Sequence, residues 1–246
     1  CASSGTAIGE AYRLIRNGYA DVVVTGGSDA LLTYGTLKAW QSMHTLAVEG
    51  PDGPAAACRP FSKDRTGLVL GEGAAMLVLE DADHAARRGV RVYAEVAGYG
   101  ATSDATHITK PSAEGQVRAM RLALEDAGLE PEAIGYINAH GTATTHGDIA
   151  ESHAVGQLFG QRTPMSSLKG YMGHTLGACG ALEAWMSIGM MHADWYAPNI
   201  NLEQVDPACA DLDYIRQGGR AQQCEIVMSN NFAFGGINTS LILKRT

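Results

Sequence analysis

The chain is 246 residues long, enough for one large domain or two of ordinary size, and 46% of it is hydrophobic, enough to bury a sizeable core. A formal net charge of −8 with no basic cluster argues against nucleic acid as a partner. No apolar run reaches the ~18 residues of a membrane span, and nothing resembles a signal peptide.

The 30 glycines suit a turn-rich, closely packed α/β protein rather than a disordered one. Cys1, Cys58, Cys179, Cys209 and Cys224 lie far apart and form no CxxC pair. That pattern points to a reducing, cytoplasmic setting rather than a disulfide framework or a zinc site. The first residue is not methionine, so the chain is expected to be processed or part of a longer polypeptide.

In chain order, Cys1-Ala2-Ser3-Ser4-Gly5 leads into Ala7, Ile8, Ala11, Leu14 and Ile15 at helical spacing, closed at Gly18. Cys1 therefore falls at, or one residue before, a helix N-terminus, where free N–H groups and the helix dipole favour a thiolate. Residues 21–27 read as a buried strand ending in paired glycines, 33–43 as a short helix and 46–59 as a loop. Residues 68–80 look like two strand pieces joined through glycines, followed by a charged helix over 81–88 that ends at Gly89. A strand over 92–99, a polar loop over 102–112 and an amphipathic helix over 114–127 come next. Residues 134–139 form a strand that delivers His140 at its end. Helices are expected over 147–159 and 173–193, and strands over 225–229 and 237–243 around a glycine-rich turn. Strands alternating with helices imply βαβ units and a mostly parallel sheet, with functional residues at the C-terminal strand ends.

Three further segments carry candidate chemistry. Residues 138–148 (NAHGTATTHGD) place His140 at a strand end among small hydroxyl residues. Residues 167–178 (SLKGYMGHTLGA) place Lys169 and then His174 at an expected helix start, where the dipole would favour neutral imidazole. Residues 230–238 (NNFAFGGIN) expose backbone amides through their glycines and are suited to one arm of an oxyanion hole. His146, His153, Asp148 and Glu151 lack the HExxH spacing of a metal site, and no metal is expected.

Together with Arg59-Pro60-Phe61 and Gly71-Glu72-Gly73-Ala74, these segments resemble, in this order, the β-ketoacyl-acyl carrier protein synthases of the thiolase superfamily. The subtype resembled is the elongating synthase II, with its Cys-His-His triad. The resemblance implies an α/β thiolase fold, an α-β-α-β-α sandwich of two βαβαβαββ halves, with the first half incomplete here. Residues 1–90 would end that first half and carry the nucleophile; 91–246 would form the second half, with both histidines. Ala143 and Ala233 depart from the family pattern, which commonly has serine and glycine there.

By the same resemblance, Cys1 takes an acyl group as a thioester, and malonyl-acyl carrier protein is decarboxylated and condensed with it to give a 3-oxoacyl product. His140 and His174 stabilise the enolate, with Lys169 orienting them. Phe234 gates the site and lends its N–H to the oxyanion hole. Thr142, Thr144, Thr109 and Phe232 meet the substrate, while Glu183 and Glu151 give structural support. The implied partners are acyl carrier protein with its phosphopantetheine-borne acyl and malonyl groups, a second copy or a chain-length-factor-like subunit, and the missing N-terminal part. No cofactor is implied. The rival reading is an N-terminal cysteine nucleophile amidohydrolase, whose α-amine would serve as base. A third is a carrier-binding module without activity.

Overall fold

The computed structural model describes all 246 residues. Helix α1 (Ser3–Arg16) leads to strand β1 (Val22–Asp29), helix α2 (Tyr34–Ser42), strand β2 (Gly73–Glu80) and helix α3 (Ala82–Arg88). Then follow β3 (Glu95–Ser103), α4 (Ala113–Ala127), β4 (Tyr136–Asn138), α5 (Thr145–Phe159), β5 (Met165–Ser166), α6 (Lys169–Met172) and α7 (Cys179–Ala193). The chain closes with β6 (Trp195–Tyr196), β7 (Arg220–Ala221), β8 (Ile226–Ala233) and β9 (Ile237–Lys244). Local chemistry sets several boundaries. Ser112 caps α4 by accepting from Gly115 N, Asp81 caps α3 by accepting from His84 N, and Gly89 and Gly128 end those helices in the left-handed conformation.

The principal sheet has five strands in the order β3-β9-β8-β4-β5. β4 is parallel to both β5 and β8, whereas β9 is antiparallel to both β8 and β3. The sheet is thus mixed, not mostly parallel: β8 and β9 are joined by a tight hairpin, as the short glycine-rich turn between them requires, since a parallel pair needs a crossover of about a dozen or more residues. β1 and β2 form a separate antiparallel pair. Other expectations shift, beginning with β1, which was read as buried but leaves Val22 and Val24 exposed. The stretch before β2 makes only isolated bridges, Leu46 with Leu68 and Leu70 with His174, so one strand stands where two pieces were expected. β3 runs on to Ser103, and β8 runs through Asn230, Asn231 and Phe232, so most of the expected loop at 230–238 is strand. The long helix expected over 173–193 begins as a 3-10 turn at 176–178 and becomes α-helical only at Cys179.

α1 and α7 pack on each other and lie between the two sheets, touching β1 and β2 on one side and β8 and β9 on the other. α4 covers the opposite face of the large sheet, with α5 beside it. The strands sort their side chains by alternation. Tyr136, Val227, Leu241 and Leu243 point into the core around α1 and α7, while Ile137, Met228 and Ile242 point into the core beneath α4 and α5. Burial on both faces keeps β4 and β8 free of charged side chains, while the buried polar residues Ser229, Asn230 and Asn231 of β8 and Asn238, Thr239 and Ser240 of β9 gather toward the hairpin.

α4 approaches β3 closely because β3 carries glycine at 98 and 100. A Cβ at Gly100 would collide with the Ala119 carbonyl, and one at Gly98 with that of Ala123. We expect Gly100→Ala to destabilise the fold by about 1–3 kcal/mol through overpacking. Gly35→Ala, within exposed α2 where no atom lies within 4 Å of the added carbon, should instead stabilise by about 0.5–1 kcal/mol. Urea denaturation of both variants checks the opposite signs.

Candidate active site

Cys1 stands one position before Ala2, the N-cap of α1. Its place is fixed by the junction of α1 and α7. The Cys179 thiol donates to the Cys1 carbonyl at 3.2 Å, and Ala181 N donates to Ser4 Oγ at 3.0 Å. This contact needs glycine in α7: a Cβ at Gly180 would lie 2.7 Å from Gly5 N and 2.6 Å from Asn231 Oδ1. Close approach of the two helix starts brings His174 Nε2 to 3.0 Å from Cys1 Sγ.

His174 does not begin a helix. It sits in a buried bridge, donating its N–H to Val69 O at 2.7 Å and accepting from Gly71 N at 3.0 Å. The dipole argument made from the sequence therefore gives way to burial: desolvation, with the nearby Lys169 charge adding to it, pushes its pKa well below the usual histidine range. His140 follows β4, and its ring meets His174 edge-on at 5.2 Å. Burial, then Lys169, then His174 depress its pKa as well. Both imidazoles are neutral near pH 7.

Lys169 Nζ lies 3.3 Å from His140 Nδ1 and forms a fully buried ion pair with Glu183. Burial, the largest single influence, would lower the lysine pKa, but the charge and hydrogen bond of Glu183, with smaller contributions from neighbouring groups, together raise it, so the ammonium persists. The ammonium therefore donates to Nδ1, which leaves the proton of His140 on Nε2, facing Cys1. Glu183 also accepts from Asn231 Nδ2 at 2.6 Å. Glu151, expected to give structural support, holds the His140 loop: its two oxygens accept from His140 N and Gly141 N, each at 2.7 Å. Burial raises its pKa to about 8 against those two hydrogen bonds.

Cys1 Sγ and the ligating nitrogens of His140 and His174 all lie within 4.8 Å of one another. The donor set suits a cation poorly, because one imidazole carries its proton on the inward nitrogen and an ammonium stands behind it. His146, His153, Asp148 and Glu151 do not converge. His153 Nε2 meets Ala208 O at 3.0 Å, and Asp148 accepts from Phe61 N and Ala143 N.

A cleft of about 370 Å³ opens over Cys1, His140 and His174. Thr109, Thr142, Thr144, Phe232 and Phe234 line it, whereas Lys169 and Glu183 lie behind it. Thr142 Oγ and Thr144 Oγ are 2.8 Å apart and hydrogen-bonded. Phe234 occupies the β8–β9 turn and stacks on Trp40 at 5.7 Å. That turn is tied to the 104–112 loop by Gly235 N donating to Ile108 O and Asp104 N to Gly236 O. Trp40, Cys179 and Asn231's contact with Glu183 carry no distance-independent sequence signal. Only Asn231's place in the Asn-Asn-Phe run hinted at a role.

Residues 1–85 match the family model described as "Beta-ketoacyl synthase, N-terminal domain", and residues 93–203 the one described as "Beta-ketoacyl synthase, C-terminal domain". The chain is 42% identical over 250 residues to 3-oxoacyl-[acyl-carrier-protein] synthase 2 of Synechocystis, covering all of this chain and 60% of that protein. The crystal structure of a beta-ketoacyl synthase from Burkholderia phymatum superposes with TM-score 0.97 at 54% identity, over all of this chain and 60% of the other. A type II polyketide ketosynthase, solved with its acyl-carrier protein and bound to a hexaketide, gives 0.96 at 34% identity, over all of this chain and 61% of that one. The chain thus spans about 60% of the length of the relatives it matches. These matches span both the cysteine and the histidine segments and leave the amidohydrolase reading without support; the fold is the thiolase fold, and the chain belongs to the beta-ketoacyl synthase family.

Proposed function

We propose that the protein performs decarboxylative Claisen condensation, joining an acyl group held on Cys1 to malonyl-acyl carrier protein to give a 3-oxoacyl-carrier product in fatty acid or polyketide synthesis. The observation that carries this reading is one neutral imidazole 3.0 Å from the thiol and a second, oriented by a buried ammonium, beside it. Such a pair donates hydrogen bonds to a developing enolate without presenting a charge that would trap the malonyl carboxylate.

Cys1 attacks the acyl thioester; the C–S bond to the carrier arm breaks and the arm leaves as thiol. The backbone N–H groups of Cys1 and Phe234 hold the oxyanion. Malonyl-carrier protein then loses carbon dioxide, and the electron pair passes to an enolate whose oxygen is held by His140 and His174. The enolate carbon attacks the acyl carbon, and Cys1 departs. Lys169 orients His140, and Glu183 keeps Lys169 charged. Thr142, Thr144 and Thr109 meet the carrier arm, Phe232 the substrate, and Phe234 separates acyl and malonyl occupancy. Residues 1–90 supply the nucleophile and 91–246 the histidines. The carrier protein is the partner, and a second copy or a chain-length-factor-like subunit completes the assembly. No helix is long and apolar enough to cross a membrane.

Cys1→Ala should abolish acyl transfer while leaving release of labelled carbon dioxide from malonyl-carrier protein. His174→Ala should cut that release by roughly 10²–10³-fold yet still allow acylation of Cys1, read by intact mass. Normal condensation by His174→Ala would overturn its assigned role.

The pH dependence follows from the depressed histidines. Decarboxylation should stay flat as pH falls from 8 to 6.5, where an ordinary imidazole would already be half protonated. Below the ordinary value of 6.5 the unfolded chain binds protons that the buried folded site excludes. Stability should therefore drop as pH falls, by at most about 1.4 kcal/mol per pH unit for each histidine. Thermal melts across pH 5–8 should show this slope in the wild type and a flatter one in His140→Asn/His174→Asn.

A further inference from the structure

Gln116 lies in the first turn of α4, is 1% exposed and lines the cleft beside Thr109 and Phe232. Its backbone N–H is satisfied by Ser112 O at 3.1 Å, but its side-chain Oε1 is buried and accepts nothing. The neighbouring donors are engaged elsewhere. Thr102 Oγ donates to Gly115 O at 2.8 Å, Asn238 Nδ2 to Asp104 Oδ1 at 2.7 Å, and Ser112 N to Asp104 Oδ2 at 3.0 Å. Asn230 Nδ2 faces Met120 Sδ. The threonines of the cleft differ, since Thr142 and Thr144 share one hydrogen bond, which leaves one hydroxyl hydrogen free to donate but no orphaned acceptor. A buried carbonyl without a donor is costly, and an apolar side chain of similar length would fill the same space without that cost. An orphan acceptor in a substrate cleft calls for a donor that the substrate brings.

The reacting parts of the substrates bring none, because acyl chain, thioester and ionised malonate carry no N–H or O–H. The pantetheine arm carries two secondary amides, the nearer one two methylenes from the sulfur. We propose that Gln116 is a substrate-binding residue whose side-chain carbonyl accepts an amide N–H of the pantetheine arm, so that the site distinguishes pantetheine thioesters from simple ones. This inference rests on the carrier-thioester reading above. It adds a hydrogen bond from α4 to the contacts of the threonines.

The test compares single-turnover acylation of Cys1, followed by intact mass, with one acyl group presented on pantetheine (two amides), N-acetylcysteamine (one) or propanethiol (none). Gln116→Met should lower kcat/KM roughly tenfold, the worth of one hydrogen bond, for pantetheine thioesters while leaving the propyl thioester unchanged. A matching loss with N-acetylcysteamine assigns the contact to the nearer amide; its absence places the contact farther along the arm. The melting temperature of Gln116→Met should be unchanged or higher, since an unpaired buried amide is removed, whereas a structural glutamine would give a lower one. Equal loss with all three thioesters, or no loss with any, would overturn the proposal while leaving the condensing-enzyme reading intact. Failure of every thioester to acylate wild-type Cys1 would overturn that reading and this one together.

Discussion

The buried ion pair between Lys169 and Glu183 is the constraint on which the site depends. Two charges removed from water are tolerated only when each is paired and further hydrogen-bonded. Here the ammonium faces Glu183 and His140 Nδ1, and the carboxylate faces the ammonium and the Asn231 amide. The pair joins three elements that are distant in sequence: α6, α7 and β8. It also fixes the tautomer of His140 and helps keep both imidazoles neutral. An isolated lysine beside those rings would instead be driven to lose its proton by burial, and the orientation of His140 would be lost with it.

The layered packing converts that pair into a reactive geometry. α1 and α7 share the space between the two sheets and meet where both have minimal side chains, at Gly5 and Gly180. The contact sets the start of α1, and therefore Cys1, against the segment that carries His174. Glu151 performs the corresponding task for His140, gathering two successive backbone N–H groups onto the two oxygens of one buried carboxyl group. Asp148 binds Phe61 N and Ala143 N and so joins the 59–66 loop to the threonine loop, while Arg65 offsets its buried charge. His140 is thus held from behind by Lys169 and Glu151, whereas Cys1 and His174 are held by backbone and helix-junction contacts.

Much of this was legible in local pattern. The run from Ala7 to Ile15 marks α1, the Ser112 and Gly128 boundaries mark α4, and the motifs around His140, Lys169 and Phe232 are contiguous. What was not legible is tertiary. The short glycine-rich turn pairs β8 with β9, but nothing local says that β9 then lies antiparallel to β3 or that β8 lies parallel to β4, because strands buried on both faces look alike whatever their direction. His174 was expected at a helix start because the helical run over 173–193 was read from Gly173, with its early glycines permitting close packing. The chain instead bridges Leu70 there and delays α7 to Cys179, so burial rather than the dipole sets the imidazole's charge. Trp40 lies far from Phe234 in sequence, and its stacking on that ring depends on how the 30–45 segment folds over the cleft. The orphan carbonyl of Gln116 is likewise a property of its surroundings, invisible in a helical heptad.

The most direct measurement is a pulse-chase on the purified protein. It would be charged with an acyl-carrier thioester until Cys1 carries one acyl adduct, freed of excess donor, and then given malonyl-carrier protein labelled with carbon-13. The account predicts that the adduct disappears from Cys1 as labelled carbon dioxide is released. The acyl group should then reappear on the carrier protein as a 3-oxoacyl thioester extended by two labelled carbons. An adduct that never forms on Cys1, or one that leaves as free acid without extension, would contradict it.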